Sequence, residues 1–116
     1  MLSRKIGNIG ENIAVAYLTK NRFYILARNI YVRWGEIDII ALNNRIIYFF
    51  EVKYSRTEIP AVEMYSSSKR HKVVRSACLW LNSHSKMRRY FPRIGLIAIQ
   101  HLSDRPDIKV YIEALY

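Results

Sequence analysis

Ile6, Ile9, Ile13, Ala16, Tyr17 and Lys20 fall three or four positions apart. That is the spacing of one helix face, and it predicts a helix over residues 4–21. Gly7 and Gly10 interrupt it. Glycine inside a helix weakens it locally and marks close approach of another backbone or a ligand. The period then changes. Residues 23–33 read as a strand kinked near Arg28-Asn29. Residues 36–42 and 45–54 are dense in β-branched and aromatic side chains and predict two more strands. Asn43-Asn44 between them suits a two-residue hairpin turn, because asparagine tolerates positive φ.

Residues 55–66 read as a loop around Pro60. A second helix is predicted over 68–83, with Ser67 or Ser68 as its cap. Val73, Ala77, Trp80 and Leu81 share one of its faces, with Lys72 and Arg75 opposite. A basic loop over 84–92 leads to strands over 93–101 and 107–115. In the last strand Ile108, Val110 and Ile112 alternate with Lys109, Tyr111 and Glu113, so one of its faces is expected to be wet. The expected fold is a single α/β domain spanning 1–116, a central mixed β-sheet flanked by helices, in the order α-β-β-β-α-β-β.

Charge changes the picture. The 116 residues carry 19 Lys and Arg against 9 Asp and Glu, a formal charge of +10. Such a field attracts polyanions, nucleic acid first among them. Between Met64 and Ser103 there is no acid, while Lys69, Arg70, Lys72, Arg75, Lys86, Arg88, Arg89 and Arg93 fall there. The single cysteine, Cys78, cannot form an internal disulfide, and His71, His84 and His101 lack zinc-site spacing. No stretch reaches the ~20 apolar residues of a membrane span, and Met1–Ile6 lacks the apolar core of a signal peptide. A cytoplasmic protein with no membrane partner is the expectation. Trp34, Trp80 and the nine tyrosines could stack on bases. Sheet and core packing is the simpler account of most of them, Trp80 above all.

The few acids can be placed. With Asn43-Asn44 as the turn, Leu42 lies opposite Arg45, Asp38 opposite Phe49 and Glu36 opposite Glu51. Asp38, Glu51 and Lys53 then share a face, with Asp38 and Glu51 diagonal neighbours about 7–8 Å apart at Cα. A four-residue loop would set Asp38 directly opposite Glu51 and keep them together. Two carboxylates so placed can hold a small hard cation, and a nearby ammonium can steady a phosphoryl group. The bland alternative is a Glu51–Lys53 ion pair on a half-solvated strand. Ile40, Ile47 and Phe49 on the same face argue for partners or a metal instead.

Gly35-Glu36-Ile37-Asp38-Ile39-Ile40, followed by Phe50-Glu51-Val52-Lys53, resembles the D…ExK signature of the PD-(D/E)XK nuclease superfamily. Gly7-Asn8-Ile9-Gly10-Glu11-Asn12-Ile13-Ala14, then Leu18 and Ile25-Leu26-Ala27-Arg28-Asn29, resembles the opening of the YraN-like family, grouped with Holliday-junction resolvases. The resemblance implies a restriction-endonuclease-like core and a divalent-metal-dependent DNA endonuclease. It makes Asp38 and Glu51 ligands of Mg²⁺ or Mn²⁺, with the Val52 carbonyl as a further ligand, and Lys53 the catalytic lysine. Glu11 matches an additional acid facing the site, although helix geometry alone leaves it an exposed residue paired with Lys or Arg. Glu36 matches the Glu of the family's GEID, either as a carboxylate supporting Glu51 or as a surface partner of Arg33. Lys69, Arg70, Lys72 and Arg75, with Arg88 and Arg89, are the implied phosphate contacts. Branched DNA and a homodimer are further implications. One departure stands out: many relatives have an acid in the strand after the second helix, where this chain has Arg93-Ile94-Gly95-Leu96. A basic nucleic-acid-binding module without hydrolysis is therefore the alternative.

Overall fold

The period-two stretches become five strands: β1 (Tyr24–Val32), β2 (Gly35–Asn43), β3 (Ile46–Ser55), β4 (Phe91–Gln100) and β5 (Asp107–Ala114). The helices are α1 (Leu2–Lys20) and α2 (Ser67–Ser83). This computed structural model describes residues 2–115, with side chains from residue 8 onward. The strands lie in chain order in one sheet. β3 and β4 run parallel, and the other neighbours are antiparallel. The α/β class and element order are those expected from the sequence. Among the described residues no helix is long and apolar enough to cross a membrane.

The sheet is covered on both faces, which is why its central strands carry apolar runs such as Ile39–Leu42 and Ile46–Phe50. On one face Ala14 and Leu18 of α1 pack with Ile39, Ala41, Phe50, Ile97 and Ile99. On the other, Val73, Ala77, Trp80 and Leu81 of α2 pack with Ile37, Ile40, Ile47, Phe49 and Ile94. The apolar face expected of α2 is therefore the buried one. A 3-10 turn over Ala61–Met64 extends this layer, with Ala61 and Tyr65 against Leu96 and Ala98.

Several details differ from expectation. The buried stripe of α1 is Gly10, Ala14 and Leu18, whereas Ile9 and Ala16 are exposed. Gly10 lets the helix dock closely: a Cβ there would stand 2.6 Å from Tyr54 Cβ. This rotation turns Glu11 inward. The β2–β3 turn falls on Asn44-Arg45, because Asn43 pairs with Ile46. Only one residue of the expected turn takes positive φ, Asn44 at 57°. The cap of α2 is Ser66, whose hydroxyl accepts from the Lys69 backbone N–H at 3.2 Å. The expected 84–92 loop contains a 3-10 turn over Ser85–Arg89, and β4 starts two residues early. The kink expected in β1 is real: Asn29 has φ 51°.

Candidate metal centre in a fork of the sheet

The site arises where β2 leaves β3. Their ladder runs from Asn43↔Ile46 to Ile39↔Phe50 and stops. One step further, the same register would set Asp38 opposite Glu51, the arrangement that a four-residue loop implied. Instead the Asp38 side chain takes over the pairing: its Oδ2 accepts from the Val52 backbone N–H at 2.8 Å. Alternation breaks at the same point. Ile39 packs on the α1 side, but Ile37, two residues away, packs on the α2 side. β2 stays paired with β1 through Ile30↔Ile37, Tyr31↔Glu36 and Val32↔Gly35. The β1–β2 hairpin thus peels away from β3 and opens a cleft of about 990 Å³.

Glu11, Glu36, Asp38 and Glu51 all line this cleft. Four of the chain's nine acids therefore meet in a protein of charge +10. Glu11, Glu36 and Asp38 each bring an oxygen within 4.8 Å of the others. Glu51 instead holds Lys53, with Nζ 2.9 Å from its Oε2. Asp38 thus clusters with Glu11 and Glu36, while Glu51, the other expected ligand, faces the same cleft beside its lysine. Glu36, open between two roles on sequence grounds, belongs to the cluster. Glu11, which helix geometry alone left exposed, is only 7% exposed. Arg28 reaches it from β1 at 3.5 Å and holds Asn12 at 2.8 Å.

Electrostatics records the crowding. Burial pushes the Asp38 carboxyl up to about 8, and the Glu51 charge pushes the same way. Burial also raises Glu11, against the opposing pull of Arg28. Burial is the largest single influence on the Lys53 ammonium and disfavours it, but the hydrogen bond and charge of Glu51, with Lys69 and Asp38, together lift it above the ordinary lysine value. Lys69 is pushed down, chiefly by the Lys53 ammonium beside it. The donors are hard oxygens, crowded enough that a small divalent cation would relieve their repulsion. Glu11, Glu36 and Asp38 are the carboxylates that could hold such a cation together. For Val52, the backbone N–H is engaged with Asp38.

The cations divide. Lys69 and Lys72 of α2 line the cleft across from the acids. Arg75 stands at its rim, 5.3 Å from the Trp34 ring centroid. Arg70 turns away and pairs with Glu113 of β5. Arg88 and Arg89 lie outside the cleft lining, bonded to Asn82 and set over the Tyr90 ring. They follow the far end of α2, roughly 20 Å along the helix from Lys69 at 1.5 Å per residue. They are too distant to join Lys69 on one phosphate. Gly95 also lies outside the cleft lining, and a Cβ there would meet the Phe50 ring at 2.5 Å. An acid is excluded at position 95 by packing, and the four cleft carboxylates are unaffected. Sequence reasoning had not tied Tyr31 and Trp34 to the acids, yet both line the cleft. The available signal was the place of Trp34 between two strand patterns, just before Glu36.

Fold and cleft define a basic α/β protein that gathers oxygen donors and lysines at a split in its sheet. The model of the uncharacterised protein family UPF0102 matches residues 10–99, and the chain belongs to this YraN-like family. It is 38% identical over 99 residues to a UPF0102 protein of Clostridium tetani, covering 84% of this chain and 80% of that one. A UPF0102 protein of Francisella tularensis subsp. novicida is 41% identical over 102 residues, 85% and 87% of the two chains. One from Vibrio parahaemolyticus is 35% identical over 98 residues, 83% and 81%.

Proposed function

We propose that this protein is a divalent-metal-dependent endonuclease that hydrolyses phosphodiester bonds in DNA. The observation that carries the reading is the carboxylate cluster of Glu11, Glu36 and Asp38 sharing one cleft with the Glu51–Lys53 pair and with Lys69 and Lys72. Four acids in a strongly basic chain would repel the very polymer its surface attracts, unless they have work to do there. Glu11, Glu36 and Asp38 would hold Mg²⁺ or Mn²⁺, with Glu51 close by. Such an ion supplies an activated water and offsets charge on a phosphoryl oxygen.

The rest falls to the chain's own groups. The Asp38–Val52 hydrogen bond fixes the acid at the split. Glu51 aims the Lys53 ammonium and keeps it charged, so that it can steady the negative phosphoryl oxygens as the bond breaks. Lys69 and Lys72 bind the neighbouring backbone phosphates as point charges. Branched DNA is the substrate that the family resemblance favours.

The test is a cleavage assay on linear, single-stranded, flapped and four-way DNA with added Mg²⁺ or Mn²⁺. Glu51→Gln and Lys53→Ala are expected to abolish cutting and leave DNA binding intact. Cleavage retained in both variants would remove these residues from the mechanism. Salt-sensitive binding with no cut product under either metal would leave the binding module as the better reading.

A further inference from the structure

We infer that Trp34 is a stacking platform for an unpaired nucleobase at the rim of the acidic cleft, an inference that rests on the nuclease reading and narrows its substrate. Val32 pairs with Gly35, so Arg33-Trp34 is the two-residue turn joining β1 to β2. Such turns favour Gly, Asn and Asp, and a tryptophan adds nothing to their geometry. It is not there for the core either: Trp34 is 46% exposed, whereas Trp80 is 7% exposed.

Its surroundings suit a base. Tyr31, 71% exposed, is the cross-strand partner of Glu36, so their side chains leave the same face of the hairpin. Both aromatics line the cleft that holds the carboxylates. The Arg33 and Arg75 guanidinium carbons stand over the Trp34 ring, 5.2 and 5.3 Å from its centroid, so a stacked base takes the place of a guanidinium there and leaves that charge to the strand's phosphates. The guanidinium groups steady the ring and set positive charge where the sugar-phosphate strand of a stacked nucleotide would run. In a continuous duplex both faces of every base are covered by its neighbours. Only an unpaired or splayed base can lie on Trp34. The substrate class is therefore DNA with an unpaired stretch beside the cut, as in a single strand, a flap or an open branch point.

Binding is measured by fluorescence anisotropy on a labelled single-stranded oligonucleotide and on its duplex, without divalent metal, so that no cutting intervenes. Trp34→Ala is expected to weaken single-strand binding roughly 5- to 50-fold and to leave duplex binding within about twofold. Trp34→Phe is expected to keep most of the affinity. In a Trp80→Phe background Trp34 is the sole tryptophan, and its emission is expected to be quenched by the single strand and not by the duplex. Equal losses on both DNAs, an unaffected Trp34→Ala, or no quenching would overturn the inference. The readout is independent of hydrolysis. A protein that cuts nothing can pass it, and an active nuclease that fails it loses only this platform.

Discussion

The carboxylate of Asp38 stands in for a strand. Where β3 should have found its next backbone partner, the Val52 N–H donates to Asp38 Oδ2 at 2.8 Å. One side chain thus seals the end of the ladder and belongs to the acidic cluster. The two roles can be separated. Asp38→Asn keeps an oxygen for the Val52 N–H and removes the charge. It is expected to fold with undiminished stability while metal-dependent cleavage falls at least 100-fold. Asp38→Ala loses both, and should cost a further 1–2 kcal/mol or about that in urea unfolding.

The pH dependence of stability follows from the same residue. The Asp38 carboxyl titrates near 8 in the fold, against 3.8 in its ordinary state. Between these values the folded chain holds a proton that the unfolded chain has released. The stabilising difference is complete below about pH 4 and is lost as pH rises through about 8. Metal-free protein should therefore weaken from pH 5 to pH 8, by at most about 1.4 kcal/mol per pH unit. Asp38→Asn should flatten that slope. Added Mn²⁺ should stabilise the wild type most at the alkaline end, since it binds the deprotonated site of the folded chain. Urea melts across this range check all three; wild-type stability that rises with pH would contradict them.

At Gly10 α1 lies close against the sheet. Gly10→Ala would place a methyl 2.6 Å from Tyr54 Cβ. Helix propensity favours alanine by about 1 kcal/mol, but the clash is with the first carbon of a buried side chain and should prevail. The expected result is a net loss of about 1–3 kcal/mol. Activity should fall as well, because Glu11 is the next residue. A stabilised Gly10→Ala protein would show that α1 is free to shift.

Ser76 offers a change in the opposite direction. It is fully buried on α2, and among the described residues its hydroxyl has no hydrogen-bond partner. Ser76→Ala removes an unsatisfied polar atom at little loss of volume. It should raise stability by about 0.5–2 kcal/mol in thermal or urea unfolding, with cleavage unchanged.

Much of this architecture can be read from the residues. The apolar runs of Ile39–Leu42 and Ile46–Phe50 mark strands covered on both sides, and the Val73-Ala77-Trp80-Leu81 face of α2 is the one that packs. Asp38, Glu51 and Lys53 line one cleft although the turn lies a residue later than Asn43-Asn44 and the β2–β3 ladder ends at Ile39↔Phe50, before it reaches them. What escaped the sequence depends on contacts between distant segments. Glu11 looked solvated because the spacing of Ile6, Ile9, Ile13, Ala16 and Tyr17 suggested a docking face that leaves Glu11 out. The helix docks instead through Gly10, and only Tyr54, on another element, explains why. The break in alternation at Asp38 is equally invisible locally, since it depends on a backbone bond to Val52. The place of Gly95 under the Phe50 ring could not be foreseen from position 95 alone.

The parallel pairing of β3 with β4 has a last consequence. Two strands pointing the same way cannot be joined by a tight turn, so the chain must travel back along the sheet before it re-enters. It sets out from Ser55, just past Lys53, and the first helical turns of the return journey carry Lys69 and Lys72. Connectivity therefore delivers these lysines opposite the carboxylates, with no need for attraction between them. Reversing their charge should leave the route intact and alter only what the cleft admits.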